Sequence, residues 1–219
     1  MIAVIHPGNG HVERGLVIGD WRIDAAFSVP APGESLSAAA RRLGEAVVAA
    51  HAGLPRHGVR IASLLPSGRP VAMGDAGLLE VSVSLAHERG MVGAAVCSQG
   101  NVGIDIVDPA VAGPGLDHWL SDDCGAANAT DAARPLVWSA KESAYKAAGI
   151  DTTFRPLAVS VRTGSSDSFE WTLRDEWCTA HGSGRFFNVG RYLVAIACAE
   201  HPRQAAVASG SGEERTRCS

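Results

Sequence analysis

Three charged side chains stand out by type and spacing. Asp105 lies inside an otherwise apolar run, Val102-Gly103-Ile104-Asp105-Ile106-Val107. A carboxylate in such a strand is costly to bury unless it is paired or bound to a cation. Further along, Glu142 and Lys146 stand at i and i+4, with Trp138 one helical turn earlier on the same face. Taken alone, a Glu-x-x-x-Lys pair is an ordinary helix-surface contact. Here it coincides with an oddity of composition: the chain has 17 arginines but only two lysines, Lys141 and Lys146. Lysine is a compact charge, whereas arginine is a planar fork. Asp105 and Glu142 could share a magnesium ion, which takes one or two carboxylates and completes its shell with phosphate oxygens and water. Lys146 would then add positive charge beside a phosphate.

These residues need elements to hold them. Leu36, Ala39, Leu43, Ala46, Val47 and Ala50 form a helical stripe, predicting a helix over Glu34–His51 that ends at Gly53-Leu54-Pro55. A second helix is expected over Pro135–Ala148, closed by Gly149. Strands are expected at Leu16–Phe27, Val59–Leu65, Leu79–Leu85, Met91–Cys97, Val102–Val107, Leu157–Arg162, Phe169–Leu173 and Tyr192–Ala199. In Leu79–Leu85, Val81, Val83 and Leu85 alternate with Ser82 and Ser84. Met1–Ile5 is a short apolar run, Pro109–Gly115 and the polar stretch Ser121–Arg134 read as loops, and His201–Ser219 reads as a disordered tail. Each half thus carries one long helix and several strands. The expected class is α+β, with an N-terminal half at 1–100, a C-terminal half at 101–200 and a tail at 201–219.

Composition excludes several roles. The formal net charge is −4, which does not suggest a nucleic-acid surface. No apolar run approaches a membrane span, and no basic n-region precedes the short apolar start. Five cysteines, an odd number without a Cys-x-x-Cys pair, suggest neither a disulfide framework nor a zinc knuckle. A cytoplasmic protein is expected.

The order of the remaining motifs is specific. Gly68-Arg69-Pro70 is followed by Ser84-Leu85-Ala86-His87, then Val102-Gly103-Ile104-Asp105, then Trp138-Ser139-Ala140-Lys141-Glu142-Ser143-Ala144-Tyr145-Lys146. This series resembles the 4′-phosphopantetheinyl transferase superfamily over roughly residues 60 to 160. The chain's size and the mid-chain aspartate fit its single-chain branch, the surfactin-synthetase-activating type. The resemblance implies two similar halves, each a small antiparallel sheet on a long helix, related by a pseudo-two-fold, with the site between them. It implies Mg²⁺-dependent transfer of the phosphopantetheine arm of coenzyme A to a serine of an apo acyl or peptidyl carrier protein, in fatty-acid, polyketide or nonribosomal-peptide synthesis. Asp105 and Glu142 would hold the metal, and Glu142, Lys146 and Asp105 would form the catalytic set. Glu142, or a water it orients, would take the serine proton. Arg69, His87, Lys141 and Lys146 would bind coenzyme A. The chain is expected to act as a monomer.

Two positions depart from the family's pattern. The branch usually places a second acid two residues after the aspartate; here that residue is Val107, and Asp108 should point the other way. Cys124 stands where a glutamate often follows Leu120-Ser121. A two-carboxylate metal site is therefore expected. The alternative is a non-catalytic homologue that binds coenzyme A or a carrier protein; a metal-dependent phosphate hydrolase using the same acids is a third reading. Arg134 and Arg155 flank the second helix and are candidates to attract an acidic carrier. Arg41 and Arg42 could reach coenzyme A phosphates, or simply form a solvated helix face.

Overall fold

The structure is a computed structural model, and it describes residues 11–110, 116, 119–120, 134–150, 153–164, 167–176 and 178–200. The expectations for Met1–Ile5, Ser121–Ala133 (Cys124 included) and the tail lie outside these residues, as does most of Pro109–Gly115.

The chain is α+β. In order it forms β1 (His11–Ile18), β2 (Trp21–Ser28), α1 (Leu36–Ala52), β3 (Arg60–Ser63), β4 (Pro70–Gly74), β5 (Gly77–Leu78), β6 (Ser82–Glu88), β7 (Met91–Cys97), β8 (Asn101–Val107), α2 (Arg134–Ala148), β9 (Val159–Thr163), β10 (Ser168–Arg174), β11 (Thr179–Val189) and β12 (Tyr192–Ala199). All strand pairs are antiparallel. They make a four-stranded sheet ordered β1-β2-β7-β6, a five-stranded sheet ordered β8-β12-β11-β10-β9, and a small sheet β3-β4-β5.

The buried side chains sort into three clusters that define the layers. α1 covers one face of the first sheet through Leu43, Val47 and Val48 against Val83, Val92 and Val96. Ile23, Phe27 and Ala95 on the other face meet Ile104, Ile106, Val194 and Ile196 of the second sheet. α2 covers the outer face of the second sheet through Ala140, Ala144 and Ala147 against Ala195 and Ala197. Alanines on both sides bring this helix close to its sheet.

Local chemistry sets the helix ends. Ser35 caps α1, its Oγ accepting from Ala38 N at 3.2 Å, and Gly53 closes it in the left-handed region at φ 67°. Glu34 accepts from Ala31 N and pairs through both oxygens with Arg42, at 2.8 and 2.9 Å. The Arg42 guanidinium and the Ala31 amide hold this carboxyl at about 2, against an ordinary value of 4.5. Because the folded value is depressed, its contribution is complete above pH 4.5 and is lost as pH falls through about 2. Glu34→Gln should lower the urea midpoint slightly at neutral pH. The gap to the unsubstituted protein should close near pH 2 when midpoints are compared across that range.

Three expectations need correction. Leu16–Phe27 is not one strand: Gly19, at φ 56°, and Asp20 turn the chain, so the segment is the β1–β2 hairpin. The strand expected at Leu79–Leu85 is shifted along the chain: it runs Ser82–Glu88, and its serines Ser82 and Ser84 are buried. β8 pairs only with β12, so its far edge carries amides that need acceptors. Val102 N donates to Ser82 Oγ at 3.0 Å and Ile104 N to Ser84 Oγ at 3.1 Å. The two large sheets are therefore joined at a seam by serine hydroxyls. The third is β11, which was not expected at all. Its segment Thr179-Ala180-His181-Gly182-Ser183-Gly184 has no apolar alternation, and Gly184 is a place where an added Cβ would strike the Phe169 ring. No helix of the described residues is long and apolar enough to cross a membrane.

Candidate functional site

Gly103 positions the site. α2 crosses β8 so closely there that a Cβ on residue 103 would lie 1.9 Å from Ser143 O and 2.6 Å from Ala147 N. Two residues along the same face, Asp105 points toward α2 and is 6% exposed. Glu142 and Lys146, on adjoining turns of α2, reach it. Lys146 Nζ donates to Asp105 Oδ1 at 3.2 Å and to Ile104 O at 3.0 Å, and lies 3.2 Å from Glu142 Oε1. The ammonium thus bridges two carboxylates contributed by different elements.

Electrostatics follow from that placement. Burial pushes the Asp105 carboxyl up to about 7, partly offset by the charge of Lys146 and reinforced by that of Glu142. Burial pulls the Lys146 ammonium down, but Asp105 and Glu142 outweigh it and leave its pKa raised. Lys146 is accordingly a fixed cation rather than a proton acceptor.

Lys146 stands at the wall of a cleft of about 320 Å³ between the halves, which also presents Arg41, Ser84, Arg69, His87 and Tyr145. Arg69 comes from the β3–β4 turn, where Gly68 adopts φ 74°. Its guanidinium crosses to the second half, donating to Gly149 O at 3.0 Å and Asn101 Oδ1 at 3.2 Å. His87 is at the exposed end of β6. Arg41 lines the cleft while donating to Ile61 O and Ser63 Oγ; its neighbour Arg42 turns away to Glu34.

Lys141 is a correction. The resemblance implies that it binds coenzyme A, but it is 2% exposed and does not line the cleft. Its Nζ donates to Pro156 O at 3.0 Å and Trp119 O at 3.3 Å. It ties α2 to the chain segments beside it. Trp138 packs edge-on against Phe154 and lines a separate apolar groove with Trp119 and Leu157. Arg155 borders that groove, ion-paired with Asp175 at 3.2 Å and Glu176 at 3.5 Å, so its charge is largely compensated. Arg134 begins α2.

The two departures noted in the sequence have different outcomes. Asp108 does point away, with Oδ2 3.1 Å from Arg191 and Oδ1 accepting from Ala110 N. Val107 shares the Asp105 face and offers no oxygen. Cys124 lies outside the described residues. Among the described residues no three His, Cys, Asp or Glu side chains gather as a metal site. Two carboxylates fit magnesium, which needs no more than that from protein when phosphate and water complete its shell. A group missed in the sequence is Ser139, a fully buried hydroxyl on α2 without a hydrogen-bond partner; the signal available was a polar residue on the helix face that packs on β8.

No protein-family model matches this chain, and no curated protein matches it.

Proposed function

We propose that this protein transfers the phosphopantetheine arm of coenzyme A to a serine hydroxyl of an apo carrier protein, releasing adenosine 3′,5′-bisphosphate. The observation that carries this reading is the convergence of Asp105 and Glu142 on Lys146, which lines a cleft that also presents Arg69, His87 and Arg41. The motif series adds its order along the chain.

The cleft suits a polyanion. Arg69, Arg41 and His87 line it as partners for phosphate oxygens, and Lys146, tied to Asp105 and Glu142, marks the part of the wall where the pyrophosphate would be attacked. Asp105 and Glu142 would hold Mg²⁺, which supplies charge neutralisation on the pyrophosphate when bound. Lys146 adds a fixed positive charge on the phosphate under attack. Glu142, 32% exposed, is the acid that an incoming serine can reach, and it takes the serine proton directly or through a water. The serine oxygen forms the new bond to phosphorus as the bond to the bisphosphate leaving group breaks. Such transfers depend on positioning and charge neutralisation more than on covalent participation by protein. Every one of these residues belongs to a single chain, so a monomer would suffice.

The test is intact-mass analysis of apo acyl and peptidyl carrier proteins after incubation with this protein, coenzyme A and Mg²⁺. The expected result is a gain of one phosphopantetheine arm that EDTA abolishes. Coenzyme A binding without a mass gain on any carrier would overturn it in favour of a binding protein. Release of free phosphopantetheine without a carrier would indicate a hydrolase.

A further inference from the structure

Among the described residues, two buried side-chain polar atoms lack a hydrogen-bond partner: Trp171 Nε1 and Ser139 Oγ. Trp171 lies in the apolar core between α2 and the second sheet. Ser139 is placed differently. It is 0% exposed and stands one helical turn before Ser143, whose carbonyl meets Gly103. Asn101 lies beside Gly149 and Gly103 beside Ser143 and Ala147, so β8 runs toward the start of α2 and Asp105 comes level with the turn that carries Ser139. No hydrogen bond from the Ser139 hydroxyl is formed in the structure. A fully buried hydroxyl without a partner is unfavourable, and the acid level with it is one of two carboxylates that the described residues bring to Lys146. With Val107 in place of a third acid, the orientation of each remaining carboxylate matters more.

We propose that Ser139 is a positioning residue of the divalent-cation site: its hydroxyl donates to the Asp105 carboxylate and fixes the plane of that carboxylate when it carries a cation. The proposal rests on the reading of Asp105 and Glu142 as cation ligands. Outer partners of this kind typically change metal affinity by about 10- to 100-fold. The role needs only a short hydroxyl side chain at this position, which threonine also supplies.

The experiment is Mn²⁺ titration followed by electron paramagnetic resonance, with the full chain, alone and with coenzyme A. Ser139→Ala should weaken Mn²⁺ binding roughly tenfold. Ser139→Thr, which keeps the hydroxyl, should remain within about threefold of the unsubstituted protein, well inside that range. The ligand-free melting temperature of Ser139→Ala should be unchanged or higher, because no formed hydrogen bond is lost. Ser139→Cys, a weak donor of similar size, should show the same weakening and carries the test if the alanine variant does not fold. Equal Mn²⁺ affinity in Ser139→Ala, or a lowered melting temperature with unchanged affinity, would overturn the proposal and leave Ser139 a packing residue. Absence of Mn²⁺ binding by the unsubstituted protein would instead overturn the cation site on which the proposal depends.

Discussion

Gly103→Ala is expected to destabilise the protein by about 3 kcal/mol or more, at or above the upper end for overpacked cores. The new Cβ would lie 1.9 Å from the Ser143 carbonyl oxygen and 2.6 Å from the Ala147 amide nitrogen. Both are helix backbone, so no side-chain rotation relieves the contact. α2 would have to move off β8 as a body, opening the layer formed by Ala140, Ala144, Ala147, Ala195 and Ala197. A loss of that size is a large part of the roughly 5–15 kcal/mol that holds a domain folded. The measurement is the guanidinium unfolding midpoint and slope. The same displacement would carry Glu142 and Lys146 away from Asp105, so any folded fraction should also lose function. A midpoint within the error of the unsubstituted protein would show that the helix does not seat on Gly103.

Glu142→Gln is expected to have the largest effect on turnover with the least effect on folding. The side chain is 32% exposed and its structural contact is the ion pair with Lys146. Glutamine keeps its shape, so the melting temperature should shift by only a few degrees. In the proposed reaction, removal of the carboxylate takes away both the acceptor for the serine proton and one of two cation ligands. General-base assistance alone contributes about 10²- to 10⁴-fold, so carrier modification followed by intact mass should slow at least 10²-fold. Coenzyme A binding should persist, because Arg69, Arg41 and His87 are untouched. A variant that modifies carrier within tenfold of the normal rate would remove Glu142 from the proposed chemistry.

Charge placement explains why the acids and lysine form a unit. Asp105, buried and pushed up to about 7, is uncomfortable as an isolated carboxylate. The raised pKa of Lys146 is the reciprocal effect: its charge is favoured because it compensates the two acids. Any cation that enters between Asp105 and Glu142 competes with that ammonium for the same oxygens. This arrangement keeps the acid pair compensated; in the proposed reaction Lys146 would turn toward a phosphate brought in with the metal.

Much of the architecture was legible from local chemistry. The Ala-rich stripe with Ser35 and Gly53 marks α1, the residues through Gly149 mark α2, and the apolar runs mark β7, β8 and β12, because caps, periodicity and β-branched runs act over a few residues. The unusual placement of both lysines in one helix was equally visible. What needed the tertiary structure was direction. Lys141 and Lys146 are five residues apart on one helix, yet one ends on the carbonyls of Trp119 and Pro156 and the other on Asp105. Ser82 and Ser84 show in the sequence only as polar residues alternating with apolar ones, and it is β8 that supplies the amides they accept from. Arg69 leaves its own turn for Gly149, 80 residues away. In each case the side chain's destination is set by the partner element that packs against it, and that partner is remote in sequence. Residue types and spacing determined which groups this protein has for chemistry; the close crossing of α2 over Gly103 decided which of them meet.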